Sequence, residues 1–128
     1  MTYRRIGSGG SYEKKVAYVR AVVTDDGWVH VSGTVGQDHT TGQIPESVVD
    51  QCRLALGHIG AALEEAGTSF ADTVRVRYIL PDRRDFEPCW PVLRDVFGAS
   101  PPAATMVEAG LIDPAMKIEI ELTAKIPA

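Results

Sequence analysis

Two hydrophobic periods alternate along this chain, and their order lays out the elements. Val16-Ala17-Tyr18-Val19-Arg20-Ala21-Val22-Val23 reads as a strand, Asp25-Asp26-Gly27 as a hairpin turn, and Trp28 to Gly36 as the return strand. Strands joined so tightly are antiparallel neighbours. Gln37 to Gln43 is a polar loop containing Gly42, after which the period lengthens. Val48, Cys52, Ala55, Ile59, Ala62 and Ala66 recur at spacings of three and four, the stripe of an amphipathic helix. Pro45 is placed in its first turn, and Gly67 ends it in a left-handed cap. Glu64 and Glu65 sit at the negative end of its dipole, a small unfavourable arrangement. Thr73 to Leu80 returns to alternation, with Val74, Val76, Tyr78 and Leu80 on one face and Arg75 and Arg77 on the other. A second helix is predicted from about Pro88 to Phe97, burying Trp90, Leu93, Val96 and Phe97 and ending at Gly98. Two further strands follow. One is led by Pro101-Pro102-Ala103-Ala104-Thr105-Met106-Val107-Glu108, the other is Lys117 to Leu122, reached through Ile112-Asp113-Pro114-Ala115.

The order β-β-α-β-α-β-β defines an α/β (α+β) domain. Right-handed crossovers drop both helices on one face of a mixed sheet. The other face carries Val and Ile as well as Arg and Glu, and burial by other subunits is expected there. A length of 128 residues, 45% of them hydrophobic, fits one domain spanning residues 1–128, with residues 1–11 as a flexible arm containing Gly7, Gly9 and Gly10. No apolar run reaches the roughly 18 residues of a membrane helix, and no secretory leader is recognisable, so a cytoplasmic protein is expected. Cys52 and Cys89 fall in helical patterns without metal-ligand spacing and read as buried thiols. A net charge of −4 argues against nucleic acid, which is bound through clustered Lys and Arg.

Glu119 and Glu121 alternate with Ile118, Ile120 and Leu122, so both carboxylates lie on one sheet face, with Cα atoms roughly 6–7 Å apart. Such a carboxylate can work as a general acid or base, or position a water. It can equally be one half of an ion pair, and Lys117 and Lys125 share its face. Arg75 and Arg77 suit a carboxylate clamp, but pairing with the same glutamates is the plainer assignment. His30, His39 and His58 form no metal pattern. Ser32 lacks the strand–turn–helix setting of a nucleophile elbow. Tyr12, Glu13 and Tyr18 are candidates to line a cleft. The glycines of the arm lack the strand and helix of a phosphate loop.

In order along the chain, Tyr18-Val19-Arg20-Ala21-Val22, Val31-Ser32-Gly33-Thr34, the helix ending Glu64-Glu65-Ala66-Gly67, Pro102-Ala103-Ala104-Thr105-Met106-Val107-Glu108 and Ile118-Glu119-Ile120-Glu121 resemble the RidA family. This is the YjgF/Rid group of reactive intermediate deaminases, often labelled L-PSP endoribonucleases. The resemblance implies a chorismate-mutase-like fold, a homotrimer with small-molecule clefts between subunits, and hydrolysis of enamines and imines without metal or cofactor. Glu119 matches the family's water-positioning glutamate, and Tyr18, Ser32, Gly33 and Thr105 are retained. Active members carry an arginine after Pro-Ala that grips the substrate carboxylate, and here that residue is Ala104. Met106 replaces a frequent Cys, and Trp90 falls where an Asn is usual. The chain thus resembles an Arg-less branch, in which Arg20, Arg75 or Arg77 would have to supply the missing charge. A metabolite-binding trimer is one implied function and an imine or enamine hydrolase of altered specificity the other, with a nuclease third.

Overall fold

A computed structural model describes residues 3–128. It contains a six-stranded sheet in the order β1-β2-β3-β6-β4-β5. The strands are β1 (Arg4–Ile6), β2 (Ala21–Val23), β3 (Trp28–Val35), β4 (Thr73–Leu80), β5 (Ala103–Glu108) and β6 (Glu119–Lys125). The helices are α1 (Ser11–Val16), α2 (Val48–Ala66) and α3 (Trp90–Phe97). Every pairing is antiparallel except β4 with β5, which is parallel. β6 lies between β3 and β4, so the two final strands of the chain are not neighbours.

Val29 and Val31 of β3, Val76, Tyr78 and Leu80 of β4, and Ile120, Leu122 and Ala124 of β6 share one face and one core with Cys52, Ala55, Leu56, Ile59 and Leu63 of α2 and Val92 and Phe97 of α3. Both long helices therefore cover the same sheet face, as the crossover rule requires. α2 begins later than the Pro45 start: Ser47 is its N-cap, its hydroxyl accepting from the Asp50 N–H at 3.3 Å. Gly67 closes it at φ 93°, donating to the Glu64 carbonyl. Gln51, fully buried in α2, ties the loops beneath the sheet end. Its Nε2 donates to the carbonyls of Pro45 and Ala115, and its Oε1 accepts from the Lys117 N–H.

Four expectations are corrected. Arg4–Ile6, assigned to an arm, form strand β1 against β2, with Ile6 buried. The strand predicted from Val16 is in fact helix α1 up to Val16, then a turn through Ala17 at φ 64°, and strand only from Ala21. Val74 does not share the face of Val76, because a register shift between Thr73 and Arg75 turns Thr73 inward and leaves Val74 47% exposed. Trp90 is 44% exposed, and the inner face of its helix is carried by Val92 and the expected Phe97, with Leu93 and Val96 partly buried beside them.

Candidate functional site

A bulge in β3 organises the site. Between the pairs Val31–Leu122 and Thr34–Ile120, β3 advances three residues where β6 advances two, so one extra residue is accommodated at Ser32-Gly33. The bulge is fixed from both sides. The Ser32 hydroxyl donates to the Val19 carbonyl at 2.5 Å, and the Ser32 N–H donates to the Arg20 carbonyl at 2.9 Å. Thr34 Oγ1 donates to the Ser32 carbonyl and accepts from Arg20 Nη1 at 2.7 Å, while the same nitrogen reaches the Gly33 carbonyl at 2.9 Å. These bonds hold Arg20 in place at 6% exposure, its guanidinium 5.7 Å from the Tyr18 ring centre.

Glu119, the first residue of β6, lies on the uncovered sheet face opposite Val35. Gly33 makes room for it, since a Cβ at that position would overlap the Glu119 carboxylate. Burial pushes the Glu119 carboxyl above the usual glutamate range, the charge of Glu121 adds to the rise, and Arg20 works against both. Neither lysine on its face pairs with it: Lys117 Nζ binds the Glu46 carbonyl and Lys125 Nζ the Asp26 carbonyl. The plain ion-pair assignment holds for Glu121 alone, which meets Arg77 Nε at 2.6 Å. Arg75 instead donates to Thr105 Oγ1 at 2.8 Å.

Glu119, Arg20, Tyr18 and Gly33 open onto one cavity of about 290 Å³, closed on its other sides by Tyr12 and Val16 of α1, His39, Ile112 and Met116. α1 is anchored at its start by the Glu13 carboxylate, which accepts from the Ser8 N–H at 2.9 Å and from the Ser8 hydroxyl. His39 stacks flat on His58 with ring centres 4.0 Å apart, and His58 Nε2 donates to the Gln37 carbonyl at 2.8 Å. Burial, then the neighbouring His58 and Arg20, push the His39 imidazole below its ordinary range, which favours the neutral ring. His39 and Met116 were not singled out as cleft residues in the sequence. Their signal, if any, was the compact Asp38-His39-Thr40-Thr41-Gly42 turn, in which Asp38 Oδ1 accepts from the N–H groups of Thr40 and Thr41.

The remaining expected site residues lie elsewhere on the chain. Trp90 and Ala104 line an apolar groove with Tyr78, Phe97, Pro101 and Pro102. Ala104 pairs with Val76 and so takes the helix-covered face, whereas Glu119 takes the open one. Met106 lines a second hollow with Phe86 and Trp90, and Thr105 faces Arg75. Ser32 supports the bulge beside a shallow depression that includes Tyr18 and Val19. Among the described residues, no cluster of three or more His, Cys, Asp or Glu is placed to hold a metal ion.

A family profile described as Endoribonuclease L-PSP matches residues 11–126. A goat protein named 2-iminobutanoate/2-iminopropanoate deaminase is 32% identical over 108 residues, 84% of this chain and 78% of its own length. A Pyrococcus horikoshii RutC family protein is 36% identical over 98 residues, 76% of this chain and 78% of its own. The crystal structure of a Mycobacterium tuberculosis member of the YjgF/YER057c/UK114 family superposes with a TM-score of 0.87 at 33% identity, covering 98% of this chain and all of that one.

Proposed function

Because this chain belongs to the Endoribonuclease L-PSP family, the RidA/YjgF group, we propose that it hydrolyses a small imine or enamine in the cleft at Glu119. The reaction balances with water alone: the C=N carbon gains the water oxygen, the C–N bond breaks, and a carbonyl compound and ammonia leave. One observation carries the reading. Glu119 is a half-buried carboxyl that pairs with no cation among the described residues, held over Gly33 at the wall of a cavity and shifted upward by burial. An upward-shifted carboxylate is the stronger base, and can take a proton from the attacking water and return it to the departing nitrogen.

A homotrimer with the cleft at the subunit boundary goes with this reading. Glu119 and Ala104 occupy opposite sheet faces in one chain, so a pocket that uses both needs two copies. A cytoplasmic location also goes with it, in keeping with two free buried thiols, Cys52 and Cys89. The second reading, a metabolite-binding trimer without turnover, goes with Ala104 if, as the resemblance implies, that position is the one at which active members carry an arginine. A nuclease is disfavoured by the net charge of −4.

The test is ammonia release from 2-iminobutanoate generated in situ, for the full chain, Glu119→Gln and Ala104→Arg. Turnover by the wild type that falls at least ~100-fold in Glu119→Gln supports the hydrolase, since general acid–base groups contribute about that much. A wild type that binds the product without turning over the imine, and gains turnover in Ala104→Arg, makes the binding module the correct reading.

A further inference from the structure

We propose that Arg20 is the anion anchor of the cleft, so that the molecule bound beside Glu119 is a small carboxylate held from the β3 side rather than from β5. The inference rests on the hydrolase reading for the cleft's location, but not for turnover. Arg20 is 6% exposed and lines the cavity with Glu119. A guanidinium buried to that degree ordinarily meets a carboxylate, yet none of the ion pairs within 4.0 Å among the described residues includes it. Its hydrogen bonds run from one terminal nitrogen, Nη1, to the Gly33 carbonyl and Thr34 Oγ1. Its Nε is buried and has no partner among the described residues. Nε and Nη2 are thus without a protein acceptor among the described residues, and the charge they share with Nη1 is left for an anion in the cavity.

Two acidic groups, Glu13 and Glu119, feel the Arg20 charge, and neither pairs with it within 4.0 Å. Glu13 of α1 directs both carboxylate oxygens to Ser8. Glu119 of β6 lines the same cavity but forms no ion pair with Arg20 within 4.0 Å. His39 from the neighbouring loop is held toward neutrality and adds no second cation. Nη1, bonded into the bulge, fixes the guanidinium plane before anything binds, and such preorganisation strengthens an orienting contact. On β5, Ala104 lies on the other face of the sheet and offers no charge.

A purely structural Arg20, tying the bulge and nothing more, makes a different prediction. We would titrate the full chain with 2-oxobutanoate and with its uncharged methyl ester by calorimetry, in wild type, Arg20→Lys and Arg20→Gln, with thermal unfolding recorded for each. The anchor requires the acid to bind the wild type about 10- to 100-fold more tightly than the ester, the range of a charge-assisted hydrogen-bonded contact. It also requires the acid-to-ester ratio to shrink in Arg20→Lys and fall to about one in Arg20→Gln, a loss shared equally by both ligands being the mark of a disturbed bulge. Equal binding of acid and ester by the wild type overturns the proposal, as does acid binding that survives in Arg20→Gln. No acid binding at all overturns it too. If Arg20→Gln fails to fold, the acid-to-ester ratio in wild type and Arg20→Lys decides. Arg20-dependent acid binding without imine turnover would defeat the hydrolase reading alone, and turnover indifferent to Arg20 would defeat the anchor alone.

Discussion

Glu119 and Gly33 form a matched pair, and the match sets what each substitution does. Burial and Glu121 raise the Glu119 carboxyl above its ordinary range in the folded state. Between the ordinary and the folded value, the native protein therefore holds a proton that the unfolded chain has already released. Stability falls as pH rises from the ordinary glutamate value, about 4.3, through the folded value, and stays lower above it. Glu119→Gln removes this dependence. Thermal unfolding between pH about 4 and 8 should show the variant more stable than wild type at neutral pH, with the gap closing in acid. A lower midpoint for Glu119→Gln at neutral pH would contradict the burial argument. The glycines separate function from fold in the same way. In Gly33→Ala the new Cβ meets the far end of the Glu119 side chain, which can swing aside, so cleft function should drop with little loss of stability. In Gly36→Ala it meets the Gln51 backbone of α2, so helix and sheet must part, at about 1–3 kcal/mol in urea unfolding. The type and place of Glu119 were legible in the sequence through alternation. The need for Gly33 was not, because it arises from a cross-strand approach that no local pattern records.

At the scale of elements, the periodic segments were readable and the irregular ones were not. α2 shows a regular stripe over 19 residues and was recovered with its glycine cap. The bulges in β3 and β4 each turn a side chain by one position, and a bulge leaves no trace in an alternating pattern. β1 has three residues and exists through its pairing with β2, so local propensity had nothing to report. Its presence also answers the unfavourable charge noted at the end of α2. Arg4 Nη1 donates to the Glu65 carbonyl at 3.1 Å and Nη2 to the Ala66 carbonyl at 2.9 Å, placing a cation on the last turn. Arg4→Ala should lower stability by about 0.5–1 kcal/mol in urea unfolding, with Arg4→Lys losing less because the dipole is still met by a charge. An unchanged midpoint in Arg4→Ala would mean that β1 is held by strand pairing alone.

For the whole molecule, the unequal treatment of the two sheet faces matters most. One face is sealed by α2 and α3 over a continuous apolar core. The other presents the Arg77–Glu121 pair at 2.6 Å, with Val107 on the edge strand 39% exposed and the Glu119 cavity at its end. If this face is the contact between copies, a charge at Val107 must be desolvated on assembly, a penalty of several kcal/mol. Sedimentation equilibrium should then find the wild-type chain trimeric and Val107→Asp shifted toward monomer. The monomeric form should keep its helical circular dichroism, because the core lies wholly on the other face. It should lose imine hydrolysis and 2-oxobutanoate binding together, because the cleft would lack its wall from the next subunit. Monomeric Val107→Asp with undiminished binding would instead mean that the cavity between α1 and Glu119 is complete within one chain, and that assembly serves something other than the cleft.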